Sequence, residues 1–335
     1  MRIKLENIGM LKGADVKIDG LTVIAGENDT GKSTIGKMLF MMLSNLVHHS
    51  SAYKNDSMEK RYYPDIEDVF GNGSLLKEGY FARFEGSGAI EIKATKKGLH
   101  SKPFVYNPDS PVKIPFFIDT PDVLNKAKYI KNTNLLMTQN KLKFFLPVYV
   151  TDLILRLSQD ISKTDKESFF KTIKDVISGE VFYDSQKDDF YFKKDGLEYP
   201  VNMHSTANGI KMFGFLQILI ANGSLSKDSV LILDEPEVNL HPKWQLKYAE
   251  ILIELIKSGV YVIVNSHSPY MIEALKVYSD KSNIQEKTNF YLAEKNEDGI
   301  TASIKDSTDD LEPIFAKLAE PFDKIETIKI EDFKW

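Results

Sequence analysis

No cysteine occurs among the 335 residues, which excludes disulfides, thiolate metal sites and iron–sulfur clusters ligated in the usual way. Long apolar runs are equally absent. The longest, residues 38–43, is far too short to cross a bilayer, and the opening MRIKLENIGM lacks the apolar core that a signal peptide needs. A cytoplasmic location is therefore expected. A formal net charge of −5 exerts no global pull toward nucleic acid and leaves only local basic surface for such a partner. There is no internal repeat, no low-complexity segment and no sustained heptad pattern, so no long coiled coil is expected. What the chain does have is 42% hydrophobic and 27% charged residues, enough to bury one large core or two modest ones.

The most informative early stretch is GENDTGKST, residues 26–34. It follows LTVIAG, whose β-branched apolar residues suit a buried parallel strand. It precedes Ile35, Met38, Leu39, Met42, Leu43 and Leu46, which recur at helical spacing and give the next helix one apolar face. Strand, glycine turn and helix start are the three parts of a phosphate-binding loop, whose backbone N–H groups and helix N-terminus face an anion. Gly26 and Gly31 free the backbone, and Glu27, Asn28, Asp29, Thr30 and Thr34 complete the turn around the phosphates. Lys32 can reach the β- and γ-phosphates of a nucleotide, and the Ser33 hydroxyl can ligate Mg²⁺.

Further along, Ile3, Leu5 and Ile8 followed by Val16 and Ile18 read as a hairpin at a sheet edge. Residues 44–98 turn polar and glycine-punctuated, as short antiparallel strands would be. IPFFID, residues 114–119, is another apolar strand, and residues 121–179 are helical by pattern, clearest in VYVTDLILRL and FFKTIKDVI. A strand-turn-strand arrangement then leads back to two apolar runs, 230–233 and 260–264, separated by a helix that begins at Pro242. The expected organisation is a core of residues 1–120, with a β lobe inserted at about 50–115, a helical lobe and return hairpin at 121–199, and a second core part at 200–335.

VLILDEPEVNLHP places Asp234 and Glu235 at the carboxyl end of a buried strand, where ligands of α/β sheets bind. Alone, Asp-Glu-Pro reads as a turn or a helix start. Beside a phosphate loop, Asp234 can hold Mg²⁺ and Glu235 can orient the water that attacks the γ-phosphate. In VIVNSHSP, His267 follows the next strand and would reach a γ-phosphate or that water.

Together these motifs resemble the ABC-type ATPases, in the branch shared by RecF, the SMC proteins and the OLD-type defence ATPases. The matching residues are the Walker A run 26–33, the Walker B run 231–235, the D-loop-like EPEVNLHP and His267 as switch histidine. The resemblance implies an α/β fold: a P-loop NTPase with a mixed or parallel core sheet, an inserted antiparallel β lobe and a helical lobe. It also implies a signature at a helix start that touches the ATP of a second subunit. HSTANGIKMFGFLQILIA is the candidate, with Ser205, Asn208, Gly209 and Lys211. Ala207 and Asn208 stand where serine and glycine are common. A hydroxyl, an amide and a glycine at a helix N-terminus could offer donors to a phosphate, but the same residues also suit an ordinary capped helix. Asp119 and Thr120 end a strand where a Q-loop glutamine is common.

The resemblance further implies ATP and Mg²⁺ as ligands, a homodimer closing on two ATP molecules, and hydrolysis that releases it. A GTPase is not expected, because Asn125-Lys126-Ala127-Lys128 has lysine where guanine reading needs aspartate. The long insertions fit the DNA-repair and defence branch better than transporter ATPases. The short tract after His267, with only Asp309-Asp310 as an acidic pair, leads us to expect no Toprim nuclease in this chain. Lys93, Lys96, Lys97 and Lys102 could track a DNA backbone or simply be a solvated hairpin. The expected function is an ATP-dependent dimeric switch in DNA maintenance or antiphage defence with a separately encoded effector; the alternative is an ATP-sensing regulatory scaffold that binds proteins and not DNA.

Overall fold

The computed structural model describes residues 1–52, 66–71, 76–86, 88–95, 98–101, 105–106, 112–140, 146–160 and 167–332. Alternation at the amino terminus forms the hairpin β1 (Arg2–Ile8) and β2 (Leu11–Lys17), which turns Ile3, Leu5 and Val16 inward. β3 (Leu21–Gly26) is buried at every residue, as a central parallel strand should be. It runs through the phosphate turn into α1 (Lys32–Ala52). The face predicted for α1 is buried, and so are Phe40 and Met41 on its other side. That second burial comes from a packing partner the periodicity does not reveal: the Phe40 ring meets Tyr149, on the later helix of residues 148–157, edge to face with centroids 6.1 Å apart.

After α2 (Ile66–Phe70) come β4 (Leu76–Glu85), β5 (Gly88–Thr95), β6 (Gly98–Ser101), β7 (Val105–Tyr106) and β8 (Ile114–Ile118). Three helices follow, α3 (Asp122–Asn140), α4 (Val148–Leu157) and α5 (Glu167–Ile177). β9 (Gly179–Asp184), β10 (Asp189–Lys194) and β11 (Val201–Asn202) make a small antiparallel sheet of their own. The last third supplies α6 (Asn208–Ala221), β12 (Ser229–Asp234), α7 (Pro242–Lys257), β13 (Tyr261–Ser266), α8 (Pro269–Lys281), β14 (Thr288–Lys295), β15 (Ala302–Asp306) and α9 (Glu312–Asp332).

The main sheet runs in the order β6-β5-β4-β1-β2-β15-β14-β3-β13-β12-β8, with β7 on β5. One half, from β14 to β8, is parallel throughout. The other is mostly antiparallel, and the strands of residues 76–106 extend this same sheet, because β4 pairs with β1. The fold is thus α/β with a mixed sheet, as expected. Register decides where the chemistry lies: Ala25 pairs with Ser266, Asp234 with Asn265, and Leu233 with Ile118. The carboxyl ends of β3, β13, β12 and β8 therefore arrive at one edge. Among the described residues no helix is long and apolar enough to cross a membrane.

Candidate active site

The phosphate turn departs from ordinary backbone at Gly26, Asp29 and Gly31, with φ of 150°, 59° and 82°. Gly26 is demanded twice over, by its dihedral and because a side chain there would overlap the Ala293 carbonyl oxygen of β14. The Thr30 hydroxyl donates to the Glu27 carbonyl at 2.8 Å and holds the turn. Lys32, 4% exposed, donates to the carbonyls of Gly26 at 2.8 Å and Glu27 at 2.6 Å. Burial draws its pKa down, while the carboxylates of Glu235, Asp234, Glu237 and Glu27 pull it back up. Ser33 and Thr34 are half-buried at the start of α1, and Asn28 and Asp29 are exposed. Two lysines from the carboxyl-terminal part reach this turn, Lys295 at 3.4 Å from Asp29 and Lys317 at 4.0 Å from Glu27.

On the neighbouring strands, Asn265 donates from its amide to the Asp234 carboxylate at 2.8 Å, and its carbonyl accepts the Glu235 N–H at 2.9 Å. Glu235 sits at φ 52°, a left-handed conformation that costs a non-glycine residue roughly 1–2 kcal/mol. The bend turns the chain out of β12 into the D-loop-like segment. Two residues on, Glu237 is 4% exposed. One of its oxygens accepts from the Ser266 hydroxyl at 2.7 Å, the His267 N–H at 2.8 Å and the Ser268 N–H at 3.2 Å; the other has no partner. The His267 imidazole presents Nδ1 3.4 Å from Glu235 and 3.6 Å from Glu237.

A cleft of about 340 Å³ joins these elements, lined by Ser33, Asp119, Asp234, Glu235, Asn208 and Asn239 among others. Asp119 accepts a hydrogen bond from the Tyr149 hydroxyl at 2.9 Å. Burial raises its pKa, with the Tyr149 bond and Lys37 opposing. The Ser33 hydroxyl and the Asp234 carboxylate are hard oxygen donors on one cavity wall, and the buried Asn265 amide fixes the carboxylate, so the set fits Mg²⁺. Among the described residues no group of three or more His, Cys, Asp or Glu could hold a metal by itself. The remaining ligands would be phosphate oxygens and water, the usual arrangement for this ion.

The signature candidate is only partly gathered in. Asn208 lines the cleft, and Ser205, which is exposed, and Gly209 do not. Ala207 caps α6 without a side-chain hydrogen bond, so the N–H groups of its first turn have no side-chain acceptor from the cap. Lys211 is 2% exposed and donates to the Asn208 side chain at 2.9 Å; burial lowers its pKa, with Asp122 opposing. Gly209 is buried in the first turn of α6, where a Cβ would lie 2.9 Å from the Trp244 ring of α7. Lys96, Lys97 and Lys102 lie outside the described residues, as does the side chain of Lys93. Sequence reasoning missed Asn265 and Glu237. The signal for the first was a polar residue directly after the apolar run YVIV, and for the second an acidic residue inside EPEVNLHP.

Comparison with known proteins agrees with this geometry. Residues 109–272 match the model of an AAA ATPase domain. No curated protein matches the chain. Among solved structures, an SmcHead bound to the C-winged helix domain of ScpA is 14% identical with a TM-score of 0.54, covering 94% of this chain and 98% of that one. The SMC head domain from Thermotoga maritima, at 13% identity, has a TM-score of 0.47, covering 91% and 97%, too low to add to the fold assignment. A phosphate loop, a paired-carboxylate strand end and a histidine strand end thus meet at one sheet edge of a fold similar to that of an SMC head, in a chain whose residues 109–272 match an AAA ATPase domain.

Proposed function

We propose that this ATPase is a dimeric switch, in which two copies close on two ATP molecules and hydrolysis releases them. Within one copy, Lys32 would exchange the carbonyls of Gly26 and Glu27 for β- and γ-phosphate oxygens. Ser33 and Asp234 would hold Mg²⁺, which when bound neutralises charge on those oxygens. Glu235 would orient the attacking water, and His267 would hydrogen-bond the γ-phosphate. The single observation that carries the reading is the cleft shared by Ser33, Asp234 and Glu235, rimmed by the start of α6 and by the D-loop-like segment, where Val238 is 40% exposed. An uncapped helix start and an exposed Ser205 offer donors to a triphosphate arriving on a second copy. Charge on each triphosphate then needs groups from both copies, so ATP binds the dimer better than the monomer and stabilises it. Turnover is proposed to be slow and stimulated by a partner.

The test is turnover and mass together. Wild type should hydrolyse ATP; Glu235→Gln should lose turnover by about 10²-fold or more while its mass doubles with ATP and Mg²⁺. Equal rates, or a Glu235→Gln protein that stays monomeric with ATP bound, would sink the proposal. We place the switch in DNA maintenance or antiphage defence, acting through a separately encoded effector. Duplex DNA affinity at two salt concentrations, with Lys96 and Lys97 changed, separates that role from a protein-only scaffold: loss of the salt slope supports DNA contact.

A further inference from the structure

We infer that Glu237 is a positioning residue for turnover: it ties the D-loop-like segment to the loop that carries His267, so that the movement of one sets the place of the other. The inference rests on the ATPase reading above and adds a residue to it. A nearly buried carboxylate is costly unless its charge is met by hydrogen bonds, yet this one leaves an oxygen without a partner and concentrates three donors on the other. All three donors come from Ser266, His267 and Ser268, consecutive residues at the end of β13, and two are backbone N–H groups. One oxygen therefore fixes the backbone on both sides of the histidine. The same oxygen lies 3.6 Å from His267 Nδ1, while Glu235 lies 3.4 Å from it. Neither contact satisfies the nitrogen, which is buried and unpartnered.

The cap of α8 does not depend on this arrangement. The turn from β13 into α8 already has its own cap, since the Ser268 hydroxyl accepts the Met271 N–H at 3.4 Å and donates to Gln245 at 2.6 Å. One backbone bond, from the Glu235 N–H to the Asn265 carbonyl, already joins the two segments before the histidine, and Glu237 extends that link to Ser266, His267 and Ser268. Glu235 and Glu237 ride on one short segment whose neighbours Val238 and Asn239 line the cleft. A shift of a few tenths of an ångström in that segment brings Nδ1 into hydrogen-bond range of one carboxylate and turns the opposite face of the imidazole with it.

The experiment is a double-mutant cycle on ATP turnover. Glu237→Ala should lower kcat by about 10- to 100-fold with KM for ATP within about twofold, the signature of a group that acts on the transition state and not on binding. In a His267→Ala background the same change should cost less than about twofold, because the residue it positions is gone. Glu237→Gln keeps an acceptor oxygen for the three donors and should recover most of the lost rate. Ser266→Ala, which removes one donor and leaves the carboxylate, should lower kcat by about three- to tenfold and keeps the test alive should Glu237→Ala fail to fold. An equal loss in both backgrounds, a loss confined to KM, or wild-type kcat in Glu237→Ala would each overturn the inference. A wild type without turnover would instead overturn the ATPase reading.

Discussion

Asn265 and Asp234 stand side by side in parallel register, and the amide of the first donates to the carboxylate of the second at 2.8 Å. The bond fixes an acidic side chain that lines the cleft together with Ser33. Asn265→Ala should therefore raise the Mg²⁺ concentration for half-maximal turnover by about 10- to 100-fold. The amide's own oxygen is buried without a partner, so removing the side chain also removes an unpaired acceptor and the melting temperature should fall only slightly. A Mg²⁺ titration of the ATPase rate, with a parallel thermal melt, checks both parts.

Glu235 is held in a left-handed conformation that asparagine tolerates better. Glu235→Asn should unfold at higher denaturant, by about 0.5–1 kcal/mol, while showing no measurable turnover. Chemical denaturation without nucleotide is the measurement; a protein less stable than wild type would show that other contacts of the glutamate outweigh its backbone strain.

Two glycines should respond to a single methyl group for different reasons. Gly26→Ala sets a side chain against the backbone of β14 and demands an unfavourable φ, so a loss of about 3 kcal/mol is expected. Gly209→Ala meets only side chains, the Trp244 ring and the Leu240 methyl, which can shift, so about 1–2 kcal/mol is expected. Urea melts of both variants, read by Trp fluorescence, should rank them in that order.

Asp119 has a pKa raised in the fold, chiefly by burial. A carboxyl whose folded pKa exceeds its unfolded value lets the native state bind more protons, so this group's contribution to stability falls as pH rises from 3.8 through the folded pKa. Asp119→Asn keeps an acceptor for the Tyr149 hydroxyl and removes the charge. It should melt above wild type at pH 7 and lose that advantage as pH approaches 4, measured without nucleotide or divalent cation.

The residues legible in the sequence were those whose role depends on local order: Lys32 and Ser33 in a loop between strand and helix, Asp234 and Glu235 after four apolar residues, His267 after the next strand. Each motif is a strand end plus a turn, and the register of β3, β13 and β12 brings them together without further instruction. Glu237 and Asn265 were not legible, because their partners lie 31 or fewer residues away along the chain but on a neighbouring strand, at a spacing no periodicity encodes. The same holds for the pairing of β4 with β1, which makes the inserted strands part of the main sheet, and for the packing of Trp244 against Gly209.

The strand that opens into Lys32 is flanked by β13 on one side and by β14 on the other. Both neighbours are translated long after it. A ribosome that has already released the first 50 residues has therefore released a phosphate loop with nothing to brace it, since Gly26 takes its place against Ala293. The bracing of the phosphate turn is thus a late event in synthesis, since it waits for β14 to emerge and pair with β3.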